Sequence, residues 1–209
     1  MDIMSRVREN EPLIHCMTHA ITMNDSANAI LAVGGSPTMA SHPQEVEEIV
    51  EAADSLVVNL GNINEERLEA MKIAGEKAHE RGIPLLLDAV GVACSTLRLV
   101  YAQQFIEHNR PQIIKATVRK SGPLRSHRPC PRSGCRGRGR GDGGKLCRGC
   151  PGIRPVCPAA WGSPFGHRTG GPGDGWGDHP GIANGTPLLG RLTGTGCMVG
   201  ALAGTWHAC

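Results

Sequence analysis

Over the first 115 positions the apolar residues switch between two periods. Short apolar runs read as buried strands: Leu13-Ile14-His15-Cys16-Met17, Ser55-Leu56-Val57-Val58-Asn59-Leu60, Pro84-Leu85-Leu86-Leu87-Asp88 and Ile113-Ile114. Between them the spacing lengthens to that of helices. Ala27, Ile30 and Leu31 recur behind Asn24 or Asp25, either of which suits a helix cap, and Gly34-Gly35 stops that helix. Ser36-Pro37-Thr38-Met39 leads on from it. Pro43 suits a first helical turn, and the acids that follow it suit the positive end of the dipole. Asn64 caps a long helix with Leu68, Met71, Ile73 and Ala74 inward and a solvated acidic stripe outward, and Gly82 ends it. Ser95 to His108 predicts one more helix. Strands alternating with helices of this length imply the α/β class, a doubly wound parallel sheet with helices on both faces. Such sheets bind ligands at the carboxyl ends of their strands. That points to Met39, Gly61-Asn62, Asp88 to Gly91 and the region after Lys115.

A patterned stretch returns near the end. Ile182 to Leu189 reads as a strand and turn. Thr193-Gly194-Thr195-Gly196-Cys197-Met198 then opens an apolar helix rich in small residues. Glycines at a helix start expose backbone N–H groups, which make an anion hole suited to a phosphoryl group. Gly194, Thr195, Gly196 and Cys197 would form it, and Cys197 stands in the first turn, where the dipole favours a thiolate. The same Gly-X-Gly pattern equally suits a helix packed tightly on a strand. Other residues have plain structural readings: His15 and Cys16 as buried strand positions, Cys94 as core or loop filler, Met39 as core, and Asp88 as a helix cap.

Charge changes this picture in the middle of the chain. The 209 residues carry a net charge of +3, yet residues 1–119 alone are −6 and residues 120–180 are +8. Those 61 middle residues hold 16 of the 29 glycines and 5 of the 9 cysteines, with only five Leu, Ile, Val, Phe or Met. So little apolar surface predicts a disordered segment there, inside what is otherwise a single domain, 1–209. Three readings of 120–180 stand side by side. Cys130, Cys135, Cys147 and Cys150 give a loose zinc-ligand spacing. Arg136 to Gly141 resembles a phosphate-binding RGG arm. Alternatively the segment is text in a shifted reading frame: Gly143 to Gly152 can be back-translated so that a neighbouring frame encodes a helix-patterned T-E-E-N-F-A-E-A-V-R. The return of pattern at Ile182 fits a second, compensating shift. No apolar run reaches the length of a membrane span, and Met1 to Asn10 has no apolar core of a secretion signal. A cytoplasmic protein with reduced cysteines is expected.

The ordered motifs together carry a resemblance. Asn24-Asp25-Ser26-Ala27-Asn28 followed by Leu31-Ala32-Val33-Gly34-Gly35-Ser36-Pro37-Thr38-Met39-Ala40, the strand ends Asn59-Leu60-Gly61-Asn62 and Asp88-Ala89-Val90-Gly91, and the Thr193 to Met198 motif resemble the hydroxyethylthiazole kinase family. They cover residues 12–119 and 181–208. The resemblance implies a ribokinase-like fold and ATP-dependent phosphorylation of the hydroxyl of 4-methyl-5-(2-hydroxyethyl)thiazole in thiamine biosynthesis. By it, Met39 and Gly194 contact the thiazole alcohol, Arg119 contacts ATP, and Asp88 lies near Mg²⁺. Cys197 takes the place of the catalytic Asp of related sugar kinases. The family implies a homotrimer with thiazole sites between subunits, and neither a membrane nor a specific nucleic acid as partner. The chain departs from the family pattern at His19, where Asn is usual, at Ala89, where Pro is usual, and after Arg119, where a Mg²⁺-side Glu is expected. It also stops at Cys209, within the helix that follows the anion hole. Two other readings accompany the kinase: an inactive remnant of it, and a non-catalytic α/β protein with a basic, nucleic-acid-binding insert.

Overall fold

A computed structural model describes residues 2–115 and 187–209. The expectations for residues between them, Arg119 and the 120–180 segment included, lie outside the described residues. Five strands form one parallel sheet: β1 (Leu13–Met17), β2 (Ser36–Thr38), β3 (Ser55–Asn59), β4 (Leu85–Asp88) and β5 (Ile113–Lys115). Their order is β2-β1-β3-β4-β5. The helices are α1 (Ile3–Asn10), α2 (Met23–Val33), α3 (Val46–Ala52), α4 (Glu65–Arg81), α5 (Thr96–Asn109) and α6 (Thr195–His207).

The period of two along each strand explains why both faces need helices. Leu56 and Val58 of β3, with Leu85 and Leu87 of β4, join a buried cluster with Val46, Val50, Met71, Ala74 and Phe105. These last residues belong to α3, α4 and α5. The intervening residues, Val57 and Leu86, turn to the other face and pack with Ile14, Cys16, Ile30, Ala201 and Ala203. That face is covered by α2 and α6. The runs are continuously apolar because neither face meets water, as parallel sheets require. Among the described residues, no helix is long and apolar enough to cross a membrane.

The same period carries the polar strand ends to one face. Asn59 pairs in register with Asp88, and Asp88 with Lys115. Asn59 and Asp88 lie one step beyond Val58 and Leu87, which face α3, α4 and α5, and Lys115 lies two steps beyond Ile113, which packs on the α6 side, so all three face α6. This helix can come close because two glycines one turn apart lie under it. A Cβ at Gly204 would run into the side chain of Val57, and one at Gly200 would stand 3.4 Å from Asp88 Oδ2. Ser55 Oγ donates 3.1 Å to the Gly204 carbonyl, fixing the contact.

Several local expectations need correction. The N-cap of α2 is Thr22, not Asn24 or Asp25, and no side chain caps it. Its inward residues are Ser26 and Ile30, whereas Leu31 is 56% exposed, because only a narrow stripe of α2 meets α6. Residues 43–45 form a turn, and α3 begins only at Val46. Pro187 to Arg191 is a 3₁₀ turn, at the end of the stretch read as a strand and turn; residues 182–186 of that stretch lie outside the described residues. Proline sets φ and removes an N–H, which suits that turn better than a sheet ladder. The cap at Asn64 is as predicted, accepting from the Arg67 N–H; Ser95, expected inside its helix, is instead the cap of α5 and accepts from the Arg98 N–H.

Candidate active site

In a sheet of this order the chain leaves β1 toward β2 on one side and returns to β3 on the other. The crevice between the carboxyl ends of β1 and β3 is the topological switch point, where doubly wound proteins bind ligands. The N-terminus of α6 lies across it. Gly194 precedes the helix at φ +89°, a conformation open to glycine, and among the described residues no side chain caps the first turn. The first backbone bond of the helix runs from the Met198 N–H to the Gly194 carbonyl, at 2.9 Å. The N–H groups of Thr195, Gly196 and Cys197 therefore have no partner within the helix. A Cβ on Gly194 would stand 2.9 Å from Thr22 Cγ2 and 3.6 Å from Asp25 Oδ2, so glycine is also needed for space against α2.

Asn59 joins the strand ends to that helix. Its Oδ1 accepts from the Gly61 N–H at 2.7 Å, which settles which end of the amide is which. Its Nδ2 donates to Asp88 Oδ2 at 3.0 Å and to Cys197 Sγ at 3.2 Å. Lys115 Nζ donates to the same Asp88 oxygen at 2.7 Å. Asp88 is 1% exposed, and its Oδ1 is buried without a partner among the described residues. Burial raises the Asp88 pKa more than the Lys115 ammonium lowers it. The Asp88 carboxylate is thus committed to Asn59 and Lys115, and the cap of α5 is Ser95. Below this layer, burial pushes the Cys16 thiol up to about 12, helped by Cys197 and Asp88, so Cys16 is inert packing.

From the β1 side comes His19. Its Nε2 lies 3.6 Å from Cys197 Sγ and 3.4 Å from Thr22 Oγ1. Thr22 Oγ1 in turn lies 3.1 Å from Thr18 Oγ1. The imidazole packs on Gly61, where any Cβ would overlap the ring. Its pKa is lowered, first by burial and then by the positive charges of Arg67 and Arg98. Arg67 also holds the loop after β3, donating to the carbonyls of Gly61 at 2.7 Å, Asn62 at 2.9 Å and Asn59 at 3.4 Å.

Of the residues singled out in the sequence, Gly194, Thr195, Gly196, Cys197 and Asp88 gather around this crevice. Met39 lies just beyond β2, partly buried against the cluster of Ile14, Cys16 and Ile30. Arg119 is outside the described residues. Cys94 is an exposed free cysteine. His15 is fully buried and its Nε2 meets the Ala40 carbonyl at 2.9 Å, as its structural reading required. The sequence reading did not give roles to Asn59, Lys115, His19 or Arg67. Two signals were available: the polar residues closing the runs of β3 and β5, and His19 as one of the departures from the family pattern.

The described residues contain no group of three or more His, Cys, Asp or Glu that could hold a metal ion. A lone buried carboxylate oxygen, Asp88 Oδ1, still fits Mg²⁺ chemistry, because Mg²⁺ keeps several waters and takes only one or two carboxylates beside substrate phosphates.

Comparison with known proteins gives four findings. The family model described as "HK: Hydroxyethylthiazole kinase family" matches residues 4–120. "Hydroxyethylthiazole kinase 2" of Clostridium botulinum (strain Langeland) is 48% identical over 118 residues, which is 56% of this chain and 44% of that protein. The chain therefore matches less than half the length of that relative. "Hydroxyethylthiazole kinase" of Desulfovibrio desulfuricans is 35% identical over 217 residues, covering 97% of this chain and 72% of that protein. The solved structure of a hydroxyethylthiazole kinase protein from Pyrococcus horikoshii OT3 superposes with a TM-score of 0.67 at 24% identity, over 99% of this chain and 75% of that one. This last likeness concerns the fold.

Proposed function

The chain belongs to the hydroxyethylthiazole kinase family, and from that premise we propose that it transfers the γ-phosphoryl group of ATP to the hydroxyl of 4-methyl-5-(2-hydroxyethyl)thiazole, a step of thiamine biosynthesis. The observation that carries the reading is the meeting of Cys197 and the open N-terminus of α6 with Asn59 and Asp88 at the switch point. In this reading the alcohol lies in the crevice, with Met39 and Gly194 against the thiazole. The N–H groups of Thr195, Gly196 and Cys197 donate to the phosphoryl oxygens, where charge develops during transfer. Arg119 contacts ATP. Cys197 orients or deprotonates the alcohol, and the 3.2 Å bond from Asn59 sets the direction of its Sγ. Lys115 keeps the Asp88 carboxylate in place, with Oδ1 free to face the metal side. When bound, Mg²⁺ supplies charge neutralisation between the phosphates. A homotrimer with thiazole sites between subunits, and a cytoplasmic location, belong to the same reading.

The shifted-frame interpretation of 120–180 is part of this proposal. It is supported by the end of the family match at residue 120, where the charge changes sign. Resequencing the coding DNA tests it, and codons that give no helix-patterned text when shifted would contradict it. The activity is tested by incubating the full chain with ATP, MgCl₂ and the thiazole alcohol, then weighing products by mass spectrometry. Thiazole phosphate is expected. A cooperatively folded chain that yields none is the inactive remnant instead.

A further inference from the structure

We propose that His19 is the terminal acceptor of the alcohol proton, acting through Cys197. This rests on the kinase reading above for its substrate but on the geometry of the crevice for its chemistry. The His19 ring is fixed on two sides: packed on Gly61, and turned so that Nε2 faces Cys197 Sγ at 3.6 Å and Thr22 Oγ1 at 3.4 Å. Both neighbours carry a proton they can donate. Among the described residues Nδ1 is buried without a partner, so the working edge of the ring is Nε2. With its proton on Nδ1, His19 accepts at Nε2 from the Cys197 thiol. Asn59 reaches Sγ from the opposite strand and leaves that S–H direction defined.

The alcohol oxygen bonds to the γ-phosphorus while the bond from that phosphorus to the β,γ-bridging oxygen breaks. The electron pair of the broken bond leaves on ADP. The alcohol proton moves to Sγ as the thiol proton moves to Nε2, and the imidazolium then releases a proton to water. Release is favoured by the charges around the ring. Arg67 from α4 and Arg98 from α5 both disfavour the imidazolium, Cys197 faces it from α6, and Thr22 beside it is neutral. Among the described residues no carboxylate lies within hydrogen-bond distance of His19 to retain the proton. An acceptor that is neutral at rest and quick to release fits general-base work near neutral pH.

The test compares the full chain with His19→Gln and His19→Ala, each first checked for a cooperative melt. Two readouts are needed: kcat and KM for the thiazole alcohol across pH, and the rate of Cys197 alkylation by iodoacetamide across pH, mapped by mass spectrometry. In the native chain kcat should hold through the ordinary histidine value of about 6.5 and fall at lower pH, since burial and the two arginines lower the His19 pKa and protonated His19 cannot accept. Both variants should lose about 100-fold in kcat with little change in KM, and lose that limb of the profile. Cys197 alkylation should slow in both variants at neutral pH. Native kcat with the limb retained, or an unchanged alkylation profile, would overturn the proposal. Should the native chain fail to turn over ATP while alkylation still depends on His19, the kinase reading falls and the Cys197–His19 proton pair stands.

Discussion

Lys115→Met probes the charged layer beneath the proposed anion hole. Lys115 Nζ lies 2.7 Å from Asp88 Oδ2, with the two side chains 11% and 1% exposed. At that distance the Coulomb attraction is about 6 kcal/mol for an effective dielectric constant of about 20. Both ions also lose hydration on burial, so the gross figure overstates the benefit of the pair. Removing one partner leaves a buried carboxylate uncompensated, which costs about 3–5 kcal/mol. Methionine preserves the length of the stem and isolates the charge. The expected loss depends on pH, because Asp88 can escape by taking a proton. Burial already raises its pKa, and without Lys115 nothing offsets that rise. A carboxyl whose folded pKa lies above its unfolded value favours folding most at low pH, and the benefit is lost as pH rises through the folded pKa. Urea unfolding followed by far-ultraviolet circular dichroism at pH 5 and pH 8 measures the effect. The deficit relative to the native chain should be larger at pH 8, and Asp88→Asn added to Lys115→Met should recover most of it. A loss under about 1 kcal/mol, or equal losses at both pH values, would refute the argument.

Three further outcomes are expected. Gly204→Ala should destabilise by about 1–3 kcal/mol because its methyl meets Val57, whereas Gly200→Ala, in ordinary contact with Asp88, should be neutral or gain up to about 1 kcal/mol from helix propensity; urea titrations distinguish them. Asn59→Ala should lower kcat more than it raises KM, since it releases Cys197 Sγ and Asp88 together; a pure KM effect in steady-state kinetics would contradict this. Tyr101→Phe removes the donor to the Leu68 carbonyl at 2.8 Å and should cost about 1 kcal/mol in the same unfolding assay, without altering turnover.

How much of this was legible in the sequence varies by element. The strands β1, β3 and β4 are continuous apolar runs, and a fully buried parallel strand leaves no other pattern. The cap Asn64 was legible because a cap acts through the adjoining backbone alone. Leu31 misled because local period cannot say how wide a stripe the partner helix covers, and α6 lies 160 positions further along the chain. The site followed the same division. Gly194 to Cys197 announce themselves by glycine spacing. The bond from Asn59 to Cys197 joins residues 138 apart, and no local pattern encodes it. Once the strand register is known, however, Asn59, Asp88 and Lys115 follow from the period of two. His19 was visible only as a mismatch, since its meaning depends on which thiol lies opposite.

The central claim is that the crevice at the switch point performs phosphoryl transfer to a thiazole alcohol through Cys197. Coupled ADP-release kinetics on the full chain and on Cys197→Ala test it most directly. The account predicts ADP formation that requires the thiazole alcohol and falls at least about 100-fold in kcat when Cys197 is replaced. Equal turnover by the two proteins, or ADP release indifferent to the alcohol, would contradict it.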